Sequence, residues 1–222
     1  MPGCMPLTLE QIHLMYNSFK GRMKKRNRAL FMFGISTGFR AGNEITGIRL
    51  KDVISQSGEF YNSVTVNSTR RKGGQNKNKK IKPVTMPISD SLKKSLRPWV
   101  KELNSWGFIS PDNFLFCTRN GKRMSYHNVY HVIIKSLKDS GIIHNFPLYR
   151  KGTHSMRKTL SLMSWKDCLE RVSRGEKIDP IKRLQQILGH NDPKTTLSYI
   201  PDDEHVFDTV MSVQNKLNME EN

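Results

Sequence analysis

Residues 188–199 read LGHNDPKTTLSY, and this stretch carries the strongest local structural signals in the chain. Gly189 ends an apolar helical pattern that begins at Pro180, because glycine readily takes the left-handed conformation that closes many helices. Pro193 favours the first turn of a new short helix, which is predicted to carry Tyr199. The pattern therefore predicts two short helices, with His190 in the turn between them.

Most of the remaining chain is also predicted to be helical. Thr8-Leu-Glu-Gln11 has the form of a capping box and is followed by apolar residues at helical spacing. The almost continuous apolar run from Ala29 to Ile35 indicates a buried helix that ends at Thr37-Gly38. Further helices are predicted from Asn43 to about Leu50, after Ser89, from Ser125 to about Asp139, and from Thr153 to about Arg174.

Two segments with β-branched residues predict a small antiparallel sheet. They run from Ser63 to Thr69 and from Ile81 to Met86, and the cationic sequence RRKGGQNKNKK between them predicts a hairpin tip. Phe114 to Thr118 is predicted to form a short strand before an Asn-Gly turn. We therefore expect an α+β fold that is mostly helical, with one domain over residues 1–200. Residues 201–222 form a C-terminal tail whose Val and Phe spacing permits docking on a neighbouring protomer, with disorder as the alternative.

The charge of the chain points to a polyanionic partner. Lys and Arg number 37 against 19 acidic residues, which gives a formal net charge of +18. A charge of this size repels itself in a compact globule and usually exists because a polyanion neutralises it. Nucleic acid is the leading candidate, and a ribosome-associated or merely soluble basic protein is the alternative.

The cysteines and the apolar runs argue against several other classes of protein. Cys4, Cys117 and Cys168 lie far apart, so neither a zinc knuckle nor a disulfide framework is expected. The sequence has no apolar run of membrane length and no secretory leader. We therefore expect no membrane association and a cytoplasmic, DNA-associated location.

Four fragments carry a resemblance to a known family. They are STGFRAGNE at 36–44, RRKGG at 70–74, THSMR at 153–157 and LGHNDPKTTLSY at 188–199. In this order they resemble the tyrosine recombinase (phage integrase) family, whose active site is Arg, Lys, His-x-x-Arg, His or Trp, and Tyr. The resemblance covers nearly all of residues 7–200 and implies the catalytic domain of that family. The catalytic residues that it implies are Arg40, Lys72, His154, Arg157, His190 and Tyr199.

These residue types also suit the cleavage of a phosphodiester. Such a reaction needs a nucleophile, a clamp for the developing negative charge, and a proton for the leaving oxygen. A tyrosine supplies a phenol oxygen that can hold a covalent ester, and guanidinium groups are permanently charged planar donors. The simpler alternatives are a core aromatic for Tyr199 and solvated surface side chains for Arg40, Arg157 and His190. The shared order and spacing of the four fragments favour the catalytic interpretation.

The resemblance implies a role for each residue. Arg40 and Arg157 would clamp the non-bridging phosphate oxygens, and Tyr199 would attack the phosphorus. His154 would assist proton removal from the tyrosine or orient the phosphate, and His190 would donate to a phosphate oxygen. Lys72 would protonate the departing 5′ oxygen, and the rival lysines for this role are Lys77, Lys79 and Lys80.

The sequence departs from the family pattern at several places. Glu44 lies four residues after Arg40, whereas most members have a carboxylate three residues after this arginine. Gly42 is a candidate for absorbing the additional residue. Lys158 stands where many members have another histidine, and the stretch between Arg157 and His190 is longer than usual. The catalytic pattern begins at Leu7, so we expect either a minimal recombinase or one that lacks an N-terminal DNA-clamping domain.

The resemblance implies site-specific recombination through a 3′-phosphotyrosyl intermediate and a Holliday junction. It implies no metal, nucleotide or other cofactor. The partners that it implies are double-stranded DNA with specific recombination sites, a homotetramer on that DNA, and accessory DNA-bending proteins as further candidates. The alternative functions are a type IB topoisomerase-like enzyme and a catalytically inactive DNA-binding accessory protein.

Overall fold

The computed structural model describes residues 4–70, 82–142 and 152–200, and most of the secondary structure in these ranges is helical. The α-helices there are α1 (Leu9–Ser18), α2 (Lys24–Thr37), α3 (Asp90–Ser105), α4 (Tyr126–Asp139), α5 (His154–Ser173), α6 (Pro180–Leu188) and α7 (Pro193–Leu197). The strands are β1 (Ser63–Val66) and β2 (Val84–Pro87). The expected mostly helical α+β fold with a small antiparallel sheet is confirmed.

The helix boundaries follow the capping signals of the sequence. The Thr8 side chain accepts from the backbone of Gln11 and completes a capping box, as predicted. Ser89 and Ser125 cap α3 and α4 through their hydroxyl groups. At the other end, α2 closes at Gly38 in the left-handed conformation, with φ 61°. These signals confirm the predicted order of the helices that carry or flank the candidate site residues.

The small sheet pairs β1 with β2 in antiparallel register. Ser63 lies opposite Pro87 and Val66 opposite Val84. Both strands are shorter than predicted, and residues 68–70 form a 3-10 turn instead of extending β1. The predicted cationic hairpin tip spans residues 70–80, and all of it except Arg70 lies outside the described residues. Lys72 and the tail from residue 201 lie outside them as well.

Two of the predicted elements are wrong. The segment from Asn43 to Leu50 is no α-helix, because residues 41–45 form a π turn and residues 48–50 pair with residues 113–115. Beyond this turn the chain runs alongside residues 113–115, where Leu115 N donates to Ile48 O at 2.8 Å. The predicted strand from Phe114 to Thr118 is reduced to isolated bridges, because its partners are single residues of irregular segments.

The core is built around α2, which packs against both α3 and α5. Phe31 and Phe33 on α2 are fully buried, as are Trp99 on α3 and Met156 on α5. Gly34 leaves room for the Met156 side chain, because a Cβ atom there would lie 2.9 Å from the Met156 Cε atom. The packing of α5 on α2 places the start of α5 against the end of α2. Among the described helices, none is both long and apolar enough to cross a bilayer.

We predict that Gly34→Ala lowers the free energy of unfolding by about 1–3 kcal/mol, which is the usual cost of overpacking. In a helix, alanine is normally more favourable than glycine by about 1 kcal/mol. A loss of stability therefore indicates the packing effect, and a gain indicates the effect of helix propensity. Urea denaturation monitored by tryptophan fluorescence measures it. Ser36→Ala on the same helix is the control, because Ser36 is half-buried and its replacement should change the stability little. Equal stability of the two variants would contradict the packing argument.

Candidate active site

The centre of the candidate site is the buried side chain of Arg157, on the second turn of α5. Arg157 is 3% exposed, and its Nη1 donates to the Gly38 carbonyl at 2.7 Å. Its Nη2 donates to the Leu188 carbonyl at 2.7 Å and lies 3.1 Å from His190 Nε2. One guanidinium group therefore joins the C-terminal ends of α2 and α6 to α5. Its Nε is buried and has no hydrogen-bond partner among the described residues.

The electrostatics of Arg157 show that the second arginine is near. Burial lowers the pKa of Arg157, and the positive charge of Arg40 lowers this pKa further. Tyr199 and Glu44 act in the opposite direction and raise the pKa of Arg157. Two guanidinium groups thus share a weakly solvated space. An anion placed between them would relieve their repulsion, which is the electrostatic requirement for a phosphate clamp.

Arg40 is held by the carboxylate of Glu44. Glu44 Oε1 accepts from Arg40 Nη1 at 2.8 Å, and Oε2 accepts from the Arg40 backbone N–H at 2.8 Å. The Glu44 side chain is only 3% exposed, whereas that of Arg40 is 23% exposed. The spacing of four residues is accommodated because the π turn places Ile45 N 3.0 Å from Arg40 O. The π turn therefore lets a carboxylate four residues after Arg40 reach both its backbone and its side chain.

His190 and Tyr199 lie against each other at the edge of this cluster. Their ring centroids are 5.2 Å apart, and the Tyr199 centroid is 5.6 Å from Arg157 Cζ. His190 Nδ1 is 3.1 Å from the hydroxyl of Thr196, which is completely buried. Lys158 Nζ is 5.9 Å from the Tyr199 centroid, so a second cation from α5 lies near this ring.

Tyr199 is not on the last helix, and the prediction that the Pro193 helix carries it is wrong. The helix ends at Leu197, and Tyr199 lies in the following turn, where its backbone N–H donates to Thr196 O at 2.9 Å. The Ser198 hydroxyl donates to Thr195 O at 2.8 Å, which satisfies a terminal carbonyl that the helix leaves free. The turn directs the tyrosine ring back toward His190.

The remaining predicted site residues are His154 and the candidate lysines. His154 is exposed and begins α5, one turn before Arg157, so both residues belong to the same end of this helix. Lys72 and its rivals Lys77, Lys79 and Lys80 lie outside the described residues. The structure thus brings Arg157, His190 and Tyr199 into direct contact and places Arg40 within electrostatic reach of Arg157.

Sequence reasoning gave no role to two side chains of this cluster. Thr196 looks like one of several polar residues in a short helix, and nothing in the sequence indicates that its hydroxyl faces His190. Lys158 is visible only as a departure from the family pattern, because its distance from Tyr199 depends on tertiary packing. The structure alone reveals both contacts.

A cleft of about 610 Å³ opens beside His190 between β2 and α6. Its wall is mixed, with Pro83 and Val84 beside the polar and basic side chains of Lys82, Thr85, Lys182 and Gln185. Lys82 and Lys182 are exposed. Within the described ranges, no three His, Cys, Asp or Glu side chains are grouped to hold a metal ion.

The comparisons with known proteins all point to one family. The model of the phage integrase family matches residues 6–205. The chain is 26% identical to the probable integrase/recombinase YoeC of Bacillus subtilis (strain 168) over 181 residues, which is 81% of this chain and 80% of that protein. It is 27% identical over 199 residues to tyrosine recombinase XerC of Caldanaerobacter subterraneus subsp. tengcongensis, covering 87% of this chain and 46% of XerC.

Solved structures share the fold. A crystal structure of the XerH site-specific recombinase bound to its palindromic difH substrate, a post-cleavage complex, superposes with a TM-score of 0.67 at 18% identity. The match covers 95% of this chain and 52% of XerH, so the chain spans about half the length of XerH and of XerC. The Tn1549 transposon integrase in complex with transposon right end DNA gives a TM-score of 0.63 at 19% identity, covering 97% of this chain and 66% of that one.

The matched range includes every residue of the cluster described above, from Arg40 to Tyr199. With the family model matching nearly the whole chain, and with the same fold in solved recombinases, this chain belongs to the phage integrase family of tyrosine recombinases.

Proposed function

We propose that this protein is a site-specific DNA recombinase that cleaves and rejoins DNA through a covalent bond from Tyr199 to phosphate. The observation that carries the proposal is the packing of the Tyr199 ring against His190 and Arg157, at 5.2 and 5.6 Å. A phenol beside a buried guanidinium is positioned to attack a phosphate that the same guanidinium binds. Family membership supports the assignment of the reaction class.

Double-stranded DNA is the proposed substrate. The net charge of +18 favours a polyanion, and the cleft beside His190 presents Lys82 and Lys182 next to the candidate nucleophile. Recombinases with the same fold have been solved with bound DNA, among them XerH and the Tn1549 integrase. Basic side chains of this kind bind the phosphate backbone and place the duplex without reading its sequence.

The proposed cleavage step begins with a phosphate between Arg40 and Arg157. It would accept from the exposed part of the Arg40 guanidinium, and its negative charge would offset the repulsion between the two guanidinium groups. The Tyr199 oxygen then attacks the phosphorus, and the bond to the 5′ oxygen breaks. Glu44 keeps Arg40 in place through its two 2.8 Å hydrogen bonds. His154 and His190 supply the imidazole groups, with the roles that the resemblance implies.

The proposed reaction conserves the number of phosphoester bonds. Lys72 donates a proton to the departing 5′ oxygen, and a 3′-phosphotyrosyl link is left. A 5′ hydroxyl from a partner duplex then attacks this link and releases Tyr199, through a Holliday junction. We propose that four protomers assemble on two duplexes and that residues 201–222 dock on a neighbouring protomer. The proposed domain therefore spans residues 1–200.

We predict that Tyr199→Phe abolishes the covalent adduct with DNA, because the nucleophilic oxygen is removed while the ring packing is kept. The probe is a library of nicked duplexes with a randomised core, in which the nick releases a short strand and traps the adduct. A denaturing gel detects the adduct, and mass spectrometry locates the modified peptide. Tyr61→Phe is the matched control, because Tyr61 is 44% exposed, and it should keep the adduct. An adduct that persists in Tyr199→Phe contradicts the assignment.

We predict that Lys72→Ala binds the same duplexes but cleaves them about 100-fold or more slowly, because general-acid catalysis contributes about 10²–10⁴-fold. A 5′-thiol leaving group needs no protonation, so a 5′-phosphorothiolate substrate should restore the rate. Rates of adduct formation with the two substrates measure this. The acid would instead be Lys77 if the thiol substrate restored the cleavage rate of Lys77→Ala but not that of Lys72→Ala.

We predict that Lys182→Gln weakens DNA binding and lowers the slope of log K against log salt by about 1, because each neutralised phosphate contributes about one released ion. Fluorescence anisotropy with a random-sequence duplex at several salt concentrations gives the slope. Lys101→Gln on α3 is the control, because Lys101 is exposed and lines no part of the cleft. The same slope in both variants would argue against the cleft as a DNA-binding surface.

A further inference from the structure

The π turn that brings Glu44 to Arg40 is bound by the side chain of Arg123, which lies just before α4. Arg123 Nη2 donates to Asn43 Oδ1 at 2.7 Å and to Thr46 Oγ1 at 2.8 Å. Its Nε donates to the same Thr46 oxygen at 3.1 Å. Three N–H groups of one guanidinium therefore end on two side chains, one on each side of Glu44 in the sequence.

The Thr46 hydroxyl connects this guanidinium to the backbone of the turn. Thr46 is 1% exposed, and its hydroxyl donates to the Gly42 carbonyl at 2.7 Å. A hydroxyl has one hydrogen and two lone pairs, so both lone pairs stay available for the two N–H groups of Arg123. Gly42 has a ψ of −127°, so the backbone leaves the helical path at this residue. A continuous chain of hydrogen bonds thus runs from Arg123 to that point.

The backbone of Arg123 is fixed by contacts of its own. Arg123 forms an antiparallel bridge with Cys117, and the N–H of the next residue, Met124, donates to Phe116 O at 3.2 Å. The guanidinium carbon lies 6.0 Å from the centroid of the Phe114 ring. Arg123 is nevertheless exposed, so its replacement removes little buried surface. The segment before α4 therefore provides a fixed point beside the turn.

We propose that Arg123 is a positioning residue for the phosphate clamp and acts through the turn of residues 41–45. The turn closes with a hydrogen bond from Ile45 N to Arg40 O at 3.0 Å, which encloses one residue more than an α-helical turn does. This conformation carries the Glu44 carboxylate to the backbone and the side chain of Arg40. Arg123 fixes the conformation, and only its effect on cleavage rests on the proposed function.

An exposed arginine near a candidate DNA site has a simpler alternative role, which is a contact to a phosphate of the backbone. Such a contact needs a positive charge, which lysine also supplies. The contact with the turn needs a planar fork whose N–H groups reach two acceptors at once, and an ammonium on a flexible stem does not reproduce it. Arg123→Lys keeps the charge and removes the fork, so it separates the two roles.

The direct test is hydrogen exchange of the full chain without DNA, measured by NMR. The probes are the backbone amides of Ile45 and Gly47, which close the turn through hydrogen bonds of 3.0 and 3.2 Å. We expect exchange on the order of 10-fold faster in Arg123→Gln and in Arg123→Lys. Arg97→Gln is the control, because Arg97 is also exposed and lies over an aromatic ring, 5.7 Å from the Phe60 centroid. Wild-type protection in both Arg123 variants would overturn the proposal.

The second test is the rate of covalent adduct formation with the nicked library at saturating DNA. Both Arg123 variants should react about 10–100-fold more slowly, because a small displacement of a catalytic group is costly. The DNA affinity of Arg123→Lys should stay close to that of the wild type. Thr46→Ser keeps the hydroxyl and should keep most of the rate, and Arg97→Gln should keep all of it. A wild-type rate in Arg123→Lys would show that charge alone suffices and would sink the proposal.

A double-variant cycle tests the route through the hydroxyl. Adding Arg123→Gln to Thr46→Val should slow the reaction by clearly less than the product of the two single effects, because both break one chain of contacts. Fully multiplied effects would contradict this route. Should Thr46→Val fail to fold, the two variants of the exposed Arg123 still decide the proposal. Absence of the adduct in wild-type protein, alongside faster exchange in the Arg123 variants, would refute the proposed function and leave the positioning of the turn standing.

Discussion

The structure depends on one buried cation, the guanidinium group of Arg157. Burying it removes favourable hydration, which lowers its pKa, and the protein offsets this loss with three hydrogen-bond partners from two segments. Two of them are backbone carbonyls, Gly38 at the end of α2 and Leu188 at the end of α6. The last carbonyls of a helix have no partner within it and carry partial negative charge, so they suit a buried cation.

This arrangement makes the site and the fold interdependent. The packing of α5 on α2 carries Arg157 to the Gly38 carbonyl. The same guanidinium then determines where the α6–α7 segment sits, through Leu188 and His190. Side chains that are far apart in sequence are thereby held within hydrogen-bonding distance before any substrate arrives. Preorganised donors of this kind need little rearrangement when negative charge develops.

The charges in the site are balanced unequally. Arg40 has a buried carboxylate partner in Glu44, whereas the partners described for Arg157 are two neutral carbonyls and an imidazole. The site therefore carries an excess of positive charge in a region of low solvation. An unbalanced pair of this kind is costly for the protein alone and becomes favourable once an anion enters.

Much of the fold was determined by local sequence signals. These signals act within a few residues of each other, so the sequence alone locates the helices. They include capping residues such as Thr8 and Ser125, the glycines that end α2 and α6, and the apolar run from Ala29 to Ile35. The order and spacing of the four fragments likewise identified the family, which the family comparison confirmed. The assigned roles of the site residues stay predictions.

Other features were decided only by tertiary structure. Residues 48–50 are no α-helix because they pair with residues 113–115. Tyr199 lies beyond α7 because the turn after Leu197 bends back to His190. The contact between Thr196 and His190, and the approach of Lys158 to Tyr199, likewise appear only once α5, α6 and α7 are packed. A sequence records local preferences, but the direction of a side chain in a site depends on contacts between segments far apart in the chain.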